Sequence, residues 1–323
     1  MARNRISSVE DRLLLTHESL WQKRLSIEKK CLRRCRIDQG SAPYGEGSRA
    51  ALARGLLSLV GIFKRGLDNA NRPVLSQVSF AFNNLPAAFD GFRILHLSDF
   101  HFNERPGFVD AVCNVVRDVA SDICVLTGDY RFNRPAPCRS VYTGMQRLIE
   151  TIVPRHGIVA VLGNNDMSDF VLDFSAMGIR VLVNQSIKLT LGDDAIWIAG
   201  VDDPHEFYCD SLPLALQEVP VGAFTILLAH SPDIVSQAAE YGMDLYLCGH
   251  THGGQVCLPR IGPLLLNARC NRAQAAGPWR HRDMQGYTTR GIGASTVPIR
   301  FNCPPEAALI ELKRELRTAG EAV

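Results

Sequence analysis

Residues 247–255, Leu247-Cys248-Gly249-His250-Thr251-His252-Gly253-Gly254-Gln255, decide how this chain is read. Two histidines stand two apart, directly after an apolar run (Met243 to Cys248) that reads as a buried strand. Glycines flank them on both sides. A strand end that opens into such a loop lets two imidazoles point into one space without crowding from neighbouring Cβ atoms. Neutral imidazole is the commonest protein metal ligand, but a bare His-x-His also fits a buried polar turn. The upstream chain decides between the two.

Phe92 to Leu97 is a short apolar strand that ends in Ser98-Asp99-Phe100-His101. A helix fits Asp110 to Ala120, followed by a buried strand, Ile123 to Leu126, that ends in Thr127-Gly128-Asp129. A second helix fits Cys138 to Ile152, and a third strand, Gly157 to Leu162, ends in Gly163-Asn164-Asn165-Asp166. Strand and helix in this alternation predict a parallel layer with crossover helices, whose functional groups collect at the carboxyl ends of the strands. The second half is richer in strands: Val181 to Val183, Ile187 to Leu191, Ala195 to Val201, and Phe224 to Ala229 before His230. A helix over Asp233 to Tyr241 precedes the Met243 strand, and strands around Gly291-Ile292-Gly293 fill Tyr287 to Leu312. The expected fold is α/β, a two-sheet β-sandwich flanked by helices over residues 71–315, with a helical extension over 1–70 and a tail at 316–323.

Seven N/O donors thus stand at five strand ends: Asp99, His101, Asp129, Asn164, His230, His250 and His252. Any one alone reads equally well as a polar cap on a turn. Imidazole and carboxylate without thiolate suit Mn, Fe, Zn or Co rather than Ca. Seven donors are too many for one tetrahedral zinc. They suit two ions that share a carboxylate, roughly 3.5–4 Å apart, which can clamp both the attacking and the leaving oxygen of a phosphoryl group.

With 323 residues, 46% hydrophobic and 21% charged, the chain can build one large α/β domain with an appendage, or two small domains. Charge is uneven. Residues 1–66 carry 14 Lys/Arg against 6 Asp/Glu, an excess of eight positive charges, so the rest must carry six net negative charges to reach the total of +2. Val9, Leu13, Leu20 and Leu25 keep helical spacing in one stretch, and Leu52, Leu56, Leu59, Val60 and Phe63 in another, with Arg54, Lys64 and Arg65 close by. Such basic amphipathic helices suit an anionic membrane surface, and equally suit packing on the main domain as a clasp. No basic surface interleaved with aromatics supports nucleic acid. The ten cysteines include no Cys-x-x-Cys pair, which argues against a zinc ribbon. Without a signal-peptide pattern or an 18-residue apolar run, a reducing cytoplasm is expected, with no spanning helix.

Asp99-x-His101, Gly128-Asp129, Gly163-Asn164-x-Asp166, His230 and Gly249-His250-Thr251-His252 together resemble the calcineurin-like metallophosphoesterase superfamily. The resemblance covers about residues 92–312. The His250 loop, Arg290-Gly-Ile-Gly293, Pro298-Ile-Arg300 and Pro304-Pro-Glu306 look like its membrane-associated bacterial branch of YkuE-type phosphoesterases and LpxG-type UDP-2,3-diacylglucosamine pyrophosphohydrolases. The resemblance implies the αββα metallophosphoesterase fold and two divalent ions (Mn, Fe or Zn), with Mn expected to support activity. It implies Asp99, His101 and His252 at the first ion, Asn164, His230 and His250 at the second, and Asp129 as the bridge.

One position departs from the family pattern. Where the family has Gly-Asn-His, with a histidine that assists the leaving group, this chain has Asn165. Asparagine is no general acid at neutral pH, and proton transfer is typically worth about 10²–10⁴ in rate. An alkyl ester suffers most from that loss; a phosphoanhydride, whose leaving group is already a stable anion, suffers least. His205 and His281 are the alternative proton donors. The segment from Pro259 to Arg290 is expected to overhang the metals and bind phosphate through Arg260, Arg269, Arg272 and Arg280, with Leu264, Leu265, Leu266 and Trp279 beside acyl chains; it also reads as a solvated loop. Met167 to Phe174 is a second candidate wall. The resulting expectation is a cytoplasmic enzyme, peripheral on the inner membrane through residues 1–67, that cleaves UDP-2,3-diacylglucosamine to UMP and 2,3-diacylglucosamine 1-phosphate. The alternatives are another phosphoester or nucleotide as substrate, or a non-catalytic metal-binding scaffold.

Overall fold

A computed structural model describes residues 9–38, 54–55, 57–59, 61–102, 105–132, 138–264 and 266–315. In chain order the first half contains α1 (Val9–Asp38), α2 (Phe63–Ala70), β1 (Val74–Phe82), β2 (Arg93–Leu97), α3 (Phe108–Val116), β3 (Ile123–Leu126), α4 (Arg139–Thr151), β4 (Ile158–Ala160), α5 (Phe170–Ala176) and β5 (Ile179–Val181). The second half contains β6 (Gln185–Leu191), β7 (Asp194–Gly200), α6 (Leu212–Ala215), β8 (Thr225–Leu228), α7 (Val235–Glu240), β9 (Leu245–Cys248), β10 (Cys257–Leu258), β11 (Gly262–Pro263), β12 (Gly277–His281), β13 (Met284–Thr288) and β14 (Glu306–Arg314).

Strand alternation builds the layers. Ile94 of β2 and Ile123 and Val125 of β3 share a core with Ile226 and Leu228 of β8 and Leu245 and Leu247 of β9. Their neighbours Leu95, Leu97, Cys124 and Leu126 face the opposite way, against α3, α4 and α5. Leu227, Tyr246 and Cys248 likewise face outward, against α6 and α7. Strands buried on both faces read in sequence as continuous apolar runs. The first core therefore fills the space between two sheets, and the other two lie beneath outer helices, which gives helix, sheet, sheet, helix. The sheet orders are β1-β14-β2-β3-β4-β5 and β12-β13-β9-β8-β7-β6. Strands β2 to β5 are mutually parallel, as are β7, β8, β9 and β13. Their carboxyl ends meet at one rim.

The expected sandwich is present, and several details differ from the sequence reading. The domain has an edge strand that the sequence reading did not assign: β1 pairs in parallel with β14 from Val74↔Glu306 to Phe82↔Arg314. The Pro259–Arg290 segment is only partly an overhang. A β10–β11 hairpin and a turn at Arg272–Gln274 give way to β12, which extends the second sheet and buries Trp279 in its outer core. Within Met167 to Phe174, the second candidate wall, Phe170 and Phe174 belong to α5 and turn fully into the core beneath it. Over its described side chains α1 clasps the main domain: Trp21 packs on the second core, and Arg24 and Glu28 are buried. No helix of the described residues is long and apolar enough to cross a membrane. Expectations for residues 39–53, Leu56, Val60, Leu265 and the 316–323 tail lie outside the described residues, as do the side chains of Val9 and Leu13.

Gly286 in β13 shows how tight the outer core is. A Cβ added there would lie 2.2 Å from the Trp279 ring, whose indole N–H donates to Thr288 at 2.8 Å. Overpacking of this kind costs about 1–3 kcal/mol. Gly286→Ala is expected to lower stability by that amount in denaturant unfolding and to red-shift tryptophan emission as the ring is displaced. An unchanged midpoint would contradict this account of the packing.

Candidate metal centre

The carboxyl ends of β2, β3, β8 and β9, with the turn after β4, bring all seven predicted donors together. Ligand atoms of Asp99, His101 and His252 lie within 4.8 Å of one another, as do those of Asp129, His230 and His250, and all six residues are buried. Asp129 stands between the groups: Oδ2 is 3.5 Å from His101 Nε2 and Oδ1 is 3.4 Å from His230 Nε2. Asn164 Oδ1 is 3.0 Å from His230 Nε2, so the asparagine joins the second group.

Backbone carbonyls aim three of the imidazoles. His101 Nδ1 donates to Arg131 O at 3.1 Å and His230 Nδ1 to Thr127 O at 2.7 Å, which turns each Nε2 toward the carboxylates. His250 is reversed. Its Nε2 donates to Asn267 O, and its Nδ1 lies 3.1 Å from His230 Nε2. His252 Nε2 faces His101 Nε2 at 3.0 Å. Outer partners of this type fix ring orientation in metal sites.

Local backbone strain contributes to the aim. Asp99, His101, Asp129, His250 and His252 all have φ between 44° and 70°, a left-handed conformation that costs non-glycine residues about 1–3 kcal/mol each. Glycines clear the space: a Cβ on Gly163 would sit 2.4 Å from Asp129 Oδ1, and one on Gly249 2.3 Å from Asp99 Oδ2. Asp166, fully buried, ties the two loops together. It accepts from Asp129 N at 2.7 Å, Gly163 N at 2.8 Å, Tyr130 N at 2.9 Å and Arg131 N at 3.4 Å. Burial and the nearby Asp129 charge push its carboxyl up to about 7, while the amide donors favour the carboxylate. Arg300, also fully buried, donates to the His252, Arg290 and Gly291 carbonyls behind the site. The sequence motifs contained Asp166 and Arg300 but gave neither a role.

The electrostatics fit cations. Burial together with His230 and His205 lowers His250 to about 3, and burial with His101 and Arg300 holds His252 well below the usual histidine range. Both are therefore neutral, the form that ligates metal. Burial also pushes the Asp99 carboxyl up. Burial would lower His230, yet the Asp129 carboxylate, with Asp99 behind it, holds that imidazole well above its ordinary value. Buried N/O donors with no thiolate, arranged in two groups around one carboxylate, fit two divalent ions.

Asn165 caps Asp129: its backbone N–H donates to Oδ1 at 2.8 Å and its side-chain amide to Oδ2 at 2.7 Å. His205 packs against His250 with ring centroids 4.0 Å apart and planes tilted by 47°, and its Nδ1 lies 2.9 Å from Asp233. Beside this pair opens a cleft of about 610 Å³ lined by Ile27, His205, Glu206, Tyr208, Leu266 and Arg269, among others. Of the four predicted phosphate-binding arginines only Arg269 lines it. Arg260 is exposed on the β10–β11 turn, and Arg272 is exposed with Nη2 3.5 Å from Pro263 O. Arg280 is a correction. Its register opposite Gln285, level with Leu245, puts it at the far end of β9 from His250. His281 also lies on β12 and lines a separate 320 Å³ pocket with Asp233 and Cys270.

Residues 92–254 match the profile of the calcineurin-like phosphoesterases. The chain belongs to that family. This calcineurin-like phosphoesterase is similar to the uncharacterized metallophosphoesterase YkuE of Bacillus subtilis (strain 168), with 29% identity over 237 residues, 71% of this chain and 82% of that protein. It is similar to phosphodiesterase YaeI of Escherichia coli (strain K12), with 29% identity over 234 residues, 68% of this chain and 82% of that one. Among solved structures, a dimetal phosphatase from Danio rerio matches 63% of this chain and 88% of its own, at TM-score 0.39 and 13% identity. This calcineurin-like phosphoesterase is a metal-dependent phosphoester hydrolase.

Because Asp129 faces both groups and Asp99 only one, the two should behave differently when removed. Asp129→Ala is expected to weaken Mn²⁺ binding at both sites, and Asp99→Ala chiefly at one, as read by metal analysis after dialysis. Equal stoichiometry in the two variants counts against the shared carboxylate. Adding Mn²⁺ to chelator-treated protein at a hundred times its Kd should add about 2.7 kcal/mol of stability.

Proposed function

We propose that the chain hydrolyses a phosphoanhydride in a lipid-linked nucleotide, UDP-2,3-diacylglucosamine, to give UMP and 2,3-diacylglucosamine 1-phosphate in lipid A synthesis. Asp99, His101 and His252 would hold one ion, Asn164, His230 and His250 the other, and Asp129 both. Bound there, the ions activate water and neutralise the charge of the phosphoryl oxygens.

The observation that carries the reading is Asn165. In the turn where the family places histidine, this chain presents an asparagine whose backbone N–H and side-chain amide both donate to Asp129. It has no proton to give, which favours a substrate whose leaving group needs none. The cleft lends support: Arg269 can reach phosphate oxygens, and Ile27, Tyr208 and Leu266 offer apolar surface to a lipid. A peripheral position on the inner membrane is part of the same reading. It rests on the excess of eight positive charges over residues 1–66. Exposed Leu258, Ile261 and Leu264 beside Arg260 on the β10–β11 hairpin support it.

Release of UMP from detergent-dispersed UDP-2,3-diacylglucosamine with Mn²⁺, lost in Asp129→Ala, is the expected result. If bis-p-nitrophenyl phosphate alone is cleaved, the hydrolase stands and the lipid nucleotide is discarded in favour of another phosphodiester, in keeping with the name of the E. coli relative. Cleavage of neither points to a scaffold. Asn165→His should speed an alkyl phosphate more than the anhydride, within the range of about 10²–10⁴ that proton transfer provides. Equal effects on both would remove the argument from Asn165.

A further inference from the structure

The family profile begins at residue 92, yet a helix far upstream reaches into the site. Arg24 of α1 has no exposed surface. It donates to Asp202, to the Asp166 carbonyl at 2.8 Å and to Glu28 at 3.0 Å, and its guanidinium lies 4.1 Å from the centroid of the Phe207 ring. Glu28 in turn accepts from Ser168 N at 2.8 Å and Ser168 Oγ at 2.6 Å. Two residues one helical turn apart thus hold the 163–168 turn from outside, while the Asp166 carboxylate holds it from within.

The same arginine reaches the opposite wall of the cleft. Asp202 also accepts from Asp203 N at 2.7 Å. Asp203 accepts from the backbone N–H of His205, Glu206 and Phe207, shaping the turn that presents His205 and Glu206. Lys23 donates to the Tyr208 carbonyl, and Ile27 lines the cleft directly. The helix therefore joins two loops that are otherwise separate in the chain, on either side of the second candidate metal group.

We propose that α1 is a built-in positioning element of the metal centre, in which Arg24 and Glu28 fix the turn that carries Asn164 and Asn165 and Ile27 walls the cleft beside it. A buried ion pair adds little net stability compared with an apolar pair of the same volume, but losing one partner is costly. Its contribution here is geometric. The Arg24 network fixes where Asn164 and Asn165 sit relative to His230 and Asp129, so Arg24 and Glu28 are positioning residues that act through that turn. The proposal shares the metal centre with the functional reading above but does not depend on the substrate.

The test compares full-length wild type with Arg24→Met, which keeps much of the volume and removes the donors, and with the milder Glu28→Gln. Three quantities are read: amide hydrogen exchange over 163–168, Mn²⁺ affinity by calorimetry, and kcat and KM on bis-p-nitrophenyl phosphate. Arg24→Met should raise exchange in that peptide at least tenfold and weaken Mn²⁺ at one of two sites by about 10–100-fold, the usual cost of losing an outer partner. kcat should fall more than KM rises. Glu28→Gln, which removes the charge that meets Arg24 and leaves the amide to donate to Ser168 Oγ rather than accept from it, should move each quantity the same way by less. If Arg24→Met does not fold, Glu28→Gln decides by the same measurements. A folded variant with wild-type exchange and Mn²⁺ affinity overturns the proposal. Loosened exchange and affinity in a protein whose wild type hydrolyses nothing would uphold it while the functional reading fell.

Discussion

The structure depends on one buried carboxylate that faces two ways. Asp129 directs one oxygen toward His101 and the other toward His230, in a space almost closed to water. A carboxylate in that setting must be met by charge or by hydrogen bonds. Burial resists its ionisation, and His230 and His101 hold it ionised, well below the usual range. The five strained backbones and the close approaches at Gly163 and Gly249 follow from the need to bring neighbouring donors within reach of that group. Strain of this kind persists only where the surroundings over-determine the geometry. The sheets supply the rigidity, because the strands that deliver the donors are buried on both faces.

Much of this was readable in the chain. The seven donors sit at the ends of apolar runs, and such runs can be recognised without their partners. The sandwich followed from the same runs and from the change of rhythm midway. What escaped the sequence depends on contacts between distant residues. β1 alternates half-exposed side chains on an edge, and its partner β14 lies more than 200 residues later. β12 begins Gly277-Pro278, which reads as a loop, yet it completes the second sheet beside β13. Nothing local distinguishes Arg24 from the exposed basic residues around it, since the carboxylate that buries it is 178 positions away. Asp166 belonged to a recognised motif, but four amides converging on it appear only when two strand ends are set side by side.

The arginine-rich segment shows why charge alone was a poor guide to substrate contacts. Arg260, Arg269, Arg272 and Arg280 are similar in sequence context but not in position. A sheet register carries Arg280 away from the metals, whereas Arg269 is held near them by its amide, which donates to Asp233 at 2.8 Å. That aspartate also meets His205, so the cleft beside the second group is organised through one carboxylate. Burial opposes the ionisation of Asp233, but its bonds from His205 and Ser231 hold it at about 2. It stays an anion at neutral pH and holds the His205 ring against His250.

Asn165 completes the argument about what the centre can do. A histidine there would offer a proton; the asparagine donates to the carboxylate between the two groups through its backbone N–H and its side-chain amide. The turn that a histidine would use for proton transfer here orients Asp129. Where proton transfer is absent, stabilisation of phosphoryl charge must supply the rate, through cations and preorganised donors in a dry site. On the reading proposed above, such a centre would discriminate by the leaving group: the more stable the departing anion, the less an acid at position 165 would matter. The helix that locks this turn from outside then becomes relevant to catalysis, because a centre that relies on electrostatic preorganisation loses rate when its groups are displaced by fractions of an ångström.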